Sequence, residues 1–343
     1  MRPRGTAFIA TALVLALATP AAAVTRRVDD DGEDCPTAGY TSIQAAVDAS
    51  GPGDLVVVCD GTYRETVSIG DGKDGLSLRA ENLGDAKLVH PSATLPGFSS
   101  VINIDRASNV LVKGLVISGP IPVACGDRGA GISIGNASNA AITDNRLIKM
   151  RRRPVNSCGL IDRISAIQVF GGSVAIQRNT ILGVDGIGID VISSVVDIAT
   201  NTVRAVDADI DFATGISTLF STRGSIVGND VRGFDGPNAT GISAFLLPGS
   251  AIRHNIMRDN DRGLFLGTVQ GTLVESNRPR FNRIGLFASN STGGNTIRVN
   301  DVRSNEESDC VDGSSGAGTA GTANTWSGNR GPRNPFPAGI CGH

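Results

Sequence analysis

A short unit recurs through the middle of this chain, and no other feature limits its fold so strongly. Each copy opens on Gly or Ala followed by Ile or Leu: Gly131-Ile132, Ala166-Ile167, Gly188-Ile189, Gly215-Ile216, Gly241-Ile242, Gly263-Leu264 and Gly285-Leu286. Each closes on an asparagine, at Asn145, Asn179, Asn201, Asn229, Asn255, Asn277 and Asn300. The Ile or Leu lies 12 to 14 residues before its Asn, whereas the return from that Asn to the next copy varies from 9 to 22. One half of the unit is held nearly constant and the other tolerates insertions. Such self-similarity marks a stacked architecture in which a copy buries its apolar face only against its neighbours.

Apolar and polar residues alternate within a copy, as at Ile132, Ile134, Ala140 and Ile142, and period two over short runs means strands rather than helices. The shortest copies, near 22 residues, suit three short strands rising about 3.3 Å per residue plus three turns, one coil of a solenoid. The core must be aliphatic and turn-rich, since Gly is 44 of 343 and aromatics are 4%. An Asn recurring at one turn is expected to form a ladder, each amide bonding to the copies above and below. Gly114, 12 residues after Ile102, is read as a ladder position lacking an amide.

On these repeats, exemplified by Gly131-Ile132-Ser133 with Ile142-Thr143-Asp144-Asn145-Arg146-Leu147-Ile148, the chain resembles the right-handed parallel β-helix (pectin-lyase-like) superfamily, in particular the PbH1-type repeats of NosD-like proteins. The resemblance runs from about Gly53 to Val311. It implies an all-β fold, a single-stranded right-handed parallel β-helix of about ten coils. It further implies that a substrate groove, where one exists, lies on an outward-facing sheet beside the variable loops. It transfers no catalytic residue: the motifs of polygalacturonases and mannuronan epimerases are absent, and the superfamily hosts many functions. Asn324-Thr325-Trp326 with Cys341 resembles the C-terminal closure of its secreted members.

The expected organisation is a leader at 1–23, an N-terminal segment with a capping helix at 24–52, the β-helix at 53–311 and a capping tail at 312–343. Arg2 and Arg4, the apolar run Ala7 to Ala18, and Ala21-Ala22-Ala23 have the layout of a secretory signal cleaved after about Ala23. No later stretch is apolar enough to span a bilayer, so the expected location is extracellular. Thr41-Ser42-Ile43-Gln44 reads as a capping box opening a short helix with Ile43, Ala46 and Val47 on one face. The acidic run Asp29 to Asp34 lacks the register of a calcium loop and reads as solvated leader. Six cysteines allow 15 pairings. They fall as local couples, Cys35 with Cys59, Cys125 with Cys158 and Cys310 with Cys341, expected to be structural staples.

A formal charge of −2 gives no global pull toward nucleic acid, and three histidines leave little for metal clusters or histidine-dependent triads. If each opening Ile or Leu faces inward, the next residue faces outward, presenting Ser133, Gln168, Asp190, Ser217, Ser243, Phe265 and Phe287 in one row. The insertions carrying Lys149, Arg151, Arg152 and Arg153, and Asp207 and Asp211, would border it. Two readings remain open. In the first, a non-catalytic extracellular protein binds polysaccharide along the row, with Gln168, Ser217, Phe265, Phe287 and Arg152 as contacts. In the second, a polysaccharide lyase (less plausibly a hydrolase) acts near Asp190 on an acidic glycan by β-elimination. There Asp190, Asp207 and Asp211 would hold Ca²⁺, and Asp190, Lys149 and Arg151 would serve the chemistry.

Overall fold

The computed structural model describes residues 22–91, 98–119, 128–150, 164–206, 211–221 and 223–342. The chain winds as a parallel β-helix whose coils contribute three strands each as far as Arg278–Arg280 and two in each of the last two coils. The first rank includes Ile187–Ile192, Thr214–Leu219, Thr240–Phe245, Arg262–Gly267, Ile284–Ala288 and Ser308–Asp312. A short turn leads to the second rank, with Val195–Ala199, Arg223–Val227, Ala251–Arg253, Leu273–Glu275 and Thr296–Arg298. The asparagine turn then leads to the third, with Arg146–Ile148, Thr180–Val184, Thr202–Ala205, Asp230–Arg232, Ile256–Arg258 and Arg278–Arg280. The first two ranks belong to a 20-stranded sheet, because Arg128–Thr143 and Ile164–Gln177 run unbroken across both; the third is a nine-stranded sheet. The connection from third rank to first carries the insertions.

Register follows the repeat. Ile132 pairs with Ile167, then Ile189, Ile216, Ile242, Leu264 and Leu286. Every member of this internal file is fully buried, each contributing about 1.5–3 kcal/mol relative to exposure. Each three-residue third-rank strand turns one side chain inward, as with Leu147, Val231 and Met257. Pro279 joins that inner file on the edge strand of the nine-stranded sheet, where a missing N–H costs no onward pairing. Where glycine precedes the inward Ile it is a packing requirement, although Ala166 takes that place before Ile167. A Cβ on Gly215 would lie 2.1 Å from Val231 Cγ1 and 2.6 Å from the Gly241 carbonyl, and one on Gly188 would lie 2.4 Å from Val203 Cγ1.

The asparagine ladder is continuous from Asn145 through Asn179, Asn201, Asn229, Asn255, Asn277 and Asn300, and reaches one rung further, to Asn329. Each Nδ2 donates to the next Oδ1, the same Oδ1 accepts the preceding backbone N–H, and Nδ2 also donates to a carbonyl at the end of a second-rank strand, as Asn229 does to Ile198. The position before Asn145 is Leu115, whose N–H donates to Asn145 Oδ1; Gly114 instead occupies the left-handed turn position with φ of 79°. Asp144, Arg178, Thr200 and His254 take that conformation before their own ladder residues. A second ladder runs Asn260, Asn282, Asn305 and ends on Asp309.

Both ends are covered. Helix α1 (Ile43–Asp48) buries Ile43, Ala46 and Val47. Its N-cap is Ser42, one residue later than the capping box implies, and Glu65 rather than Gln44 accepts from the first N–H groups, those of Ile43 and Gln44. The segment ahead of it is not merely solvated. Thr25–Val28 pairs in parallel with Leu55–Val58, and Asp29 is buried, accepting from the Cys35 N–H, which holds its carboxyl below the usual range. Cys35–Cys59 and Cys310–Cys341 are disulfides, each closing a loop of a size that contributes about 3 kcal/mol. Cys125 and Cys158 lie outside the described residues. The last coil closes on Trp326, whose indole N–H donates to the buried Asp312 carboxylate at 2.7 Å.

Candidate functional site

The outward row of the first rank is one file in register: Ser133 beside Gln168, then Asp190, Ser217, Ser243, Phe265, Phe287 and Val311. Strand alternation aims all of these side chains away from the aliphatic file, and strand pairing spaces them about 4.8 Å apart along the helix axis. Their accessibility divides sharply. Ser133, Gln168 and Asp190 are 5%, 3% and 0% exposed. Ser217, Ser243, Phe265 and Phe287 are partly open. The accessible part of the row therefore lies toward the C-terminal coils, away from the carboxylate that the residue pattern singles out.

There the surface is aromatic. The Phe265 and Phe287 rings stack with centroids 5.6 Å apart and planes 23° from parallel. Phe245 extends the strip because Gly267, on the neighbouring coil, leaves room: a Cβ there would meet Phe245 Cδ2 at 2.2 Å and Phe265 Cε1 at 2.8 Å. The guanidinium of Arg262 lies 5.7 Å from the Phe265 centroid and 5.6 Å from that of Phe287. It is held in place by the Asn238 side-chain oxygen at 3.2 Å and by Asp261 at 3.9 Å. Arg283 pairs with Asp261 at 2.6 Å and with Glu307, and these carboxylates raise its pKa further above the ordinary range. The site thus combines two stacked rings, a cation across their faces and a neighbouring row of hydroxyls.

The other predicted residues are not gathered here. Lys149 is exposed just beyond the third-rank strand Arg146–Ile148, with φ of 59°. Asp211 is exposed in a turn ahead of Thr214–Leu219. Arg151, Arg152 and Asp207 lie outside the described residues. Among the described residues, carboxylates and thiols come within shared ligating reach at Asp29, Asp30 and Asp31, and at Cys35, Cys59 and Glu81; the thiols of the second group form a disulfide. Sequence reasoning missed Arg262. The signal was available, since it stands two residues before the inward Leu264, on the same strand as Phe265.

None of the curated proteins matches the chain by sequence. Among solved structures it is similar to the Dettilon tailspike protein, at 15% identity and TM-score 0.48, covering 81% of this chain and 60% of that one. It is similar also to a mannuronic acid specific family 6 polysaccharide lyase from human gut microbiota (14% identity, TM-score 0.44, covering 83% and 73%) and to pectin methylesterase from carrot (10% identity, TM-score 0.44, covering 82% and 83%). The family model described as right handed beta helix region matches residues 165–330. With three stacked ranks, one inward aliphatic file and that match over residues 165–330, the chain folds as a right-handed parallel β-helix.

Proposed function

We propose that this protein is exported and binds an extended polysaccharide along the outer face of its first rank without cleaving it. The observation that carries the reading is the partly open Phe265–Phe287 stack with Arg262 across both rings. A pyranose presents C–H groups on its faces and hydroxyls at its rim, so it stacks on such rings while Ser217, Ser243 and the Arg262 N–H groups meet its polar edge. Because the contacts are displaced by one strand per coil, the glycan runs along the helix axis. Partly open, preformed rings lose little side-chain entropy on binding. Asp190, by contrast, is fully buried, so it offers no open surface to a polymer. Two disulfides fit an oxidising destination, and among the described residues no helix is long and apolar enough to cross a membrane.

The test is a glycan panel, neutral and uronate-containing, measured for binding and for unsaturated products with and without Ca²⁺. Binding without turnover is expected in either condition, with binding of the neutral glycans weakened about tenfold or more in Phe265→Ala/Phe287→Ala. Unsaturated products that disappear in Asp190→Ala would establish the lyase instead.

A further inference from the structure

The outer face of the third rank carries an arginine file. Arg204 pairs in register with Arg232, Arg232 with Arg258, and Arg258 with Arg280, on four successive coils. The equivalent positions one and two coils earlier are Leu182 and Ile148, so the fold does not require a cation there. Like charges stacked directly opposite are destabilising unless neutralised. Among the described residues, neutralisation alternates along the file. Arg232 is paired with Asp230, and Arg280 with Asp301, which Arg303 shares. Arg204 and Arg258 have no carboxylate partner among the described residues, and the buried Nε of Arg258 has no hydrogen-bond acceptor. These two guanidinium groups, without a carboxylate partner among the described residues, stand two strands apart, about 10 Å. A cleft of about 450 Å³, lined by His254, Ile256, Ser276, Arg278, Val299 and Asp301, opens beside the file at the asparagine turn. Ile256 and Arg278 sit on the same strands as Arg258 and Arg280.

We propose that this face is a second binding surface, distinct from the aromatic one, for a linear glycan carrying a carboxylate on alternate sugars. Two sugar units of an extended chain match two strand spacings, so successive carboxylates meet Arg204 and Arg258. The intervening neutral sugar passes over Arg232, which Asp230 already satisfies. Charge-assisted contacts of this kind are strong when a planar fork meets a carboxylate, and the stacked cations lose their mutual repulsion on binding.

The experiment is calorimetric titration of the full chain with hyaluronan decasaccharide, whose carboxylates fall on every second sugar, alongside its carboxyl-reduced counterpart and single-stranded DNA. Binding of the carboxylated form is expected to weaken as salt rises and to weaken about tenfold or more in Arg204→Gln/Arg258→Gln. Phe265→Ala/Phe287→Ala is expected to leave it within about twofold, which separates this face from the aromatic one. The arginine variant should melt at the same temperature as the parent or higher, since it relieves stacked charge. Unchanged affinity in that variant, equal binding of the carboxyl-reduced form, or equal binding of DNA would each overturn the proposal.

Discussion

Removing one rung from the middle of the asparagine ladder should cost far more than a polar-to-alanine change on the surface. Asn229 is fully buried. Its Oδ1 accepts from the Asn201 backbone N–H at 2.9 Å and from Asn201 Nδ2 at 3.0 Å. Its Nδ2 donates to the Ile198 carbonyl at 2.9 Å and to Asn255 Oδ1 at 3.0 Å. In Asn229→Ala two of these partners keep another bond: Asn201 Nδ2 still reaches the Ile176 carbonyl, and Asn255 Oδ1 still accepts the N–H of residue 229. The Asn201 N–H loses its acceptor in a buried turn and the Ile198 carbonyl loses a donor. An orphaned buried N–H costs about 1–3 kcal/mol and the lost bond to the Ile198 carbonyl about 1 kcal/mol, giving a loss of about 2–4 kcal/mol. Asn329→Ala, at the last rung and 5% exposed, should cost about half as much because water can replace part of what is lost. Urea denaturation at 25 °C measures both, and hydrogen exchange at Asn201 should accelerate in the first variant. A loss below about 1 kcal/mol for Asn229→Ala, with Asn201 protection unchanged, would refute the ladder as a stabilising element.

Three further outcomes follow from single sites. Gly215→Ala should destabilise by about 1–3 kcal/mol, because its Cβ would fall 2.1 Å from Val231 Cγ1; Ala166→Gly, in the same column where a methyl already fits, should cost no more than about 1 kcal/mol. Thermal melts compare the two, and equal effects would contradict the packing argument. Asp312→Ala removes the acceptor of the Trp326 indole N–H and of Asn324 Nδ2. Since Trp326 is the only tryptophan, its fluorescence should shift to the red and report cap opening at about 3 kcal/mol lower stability; an unshifted spectrum would dismiss that coupling. Asp301 is held down to about 2 by hydrogen bonds from Arg303 and Arg280. Its folded pKa lies below its unfolded one, so its contribution is complete above pH 4 and is lost as pH falls toward 2. Asp301→Asn should therefore lower stability by about 1–2 kcal/mol at pH 6, allowing for solvent screening, and by almost nothing at pH 2. A pH-independent difference would disprove this linkage.

The coil was legible because steric demands repeat with it. Ile132 through Leu286 form one internal file because alternation and a nearly constant interval leave no other register, and the ladder followed from the same spacing. The slip from Leu115 to Gly114 arose where the repeat weakens: the left-handed turn residue and the ladder residue are adjacent, and without an amide nothing in the sequence separates them. Accessibility was not legible. Alternation correctly aimed Asp190 and Phe265 outward, yet one is sealed and the other partly open, because covering an outward side chain depends on neighbouring coils and connections rather than on the strand's own pattern. Arg262 was overlooked for a related reason. It lies across two rings on successive coils, 22 residues apart in sequence, and only the stacking of coils brings one cation across both. The leader strand Thr25–Val28 was hidden because its partner, Leu55–Val58, lies on the first full coil.

Glycan recognition on the aromatic face is tested most directly by a crystal structure of the protein with a bound oligosaccharide from the panel. A pyranose face should stack on Phe265 and Phe287, with Arg262 in contact with its polar edge and the sugar chain running along the helix axis. An oligosaccharide seated against Asp190, with the aromatic pair bare, would contradict it.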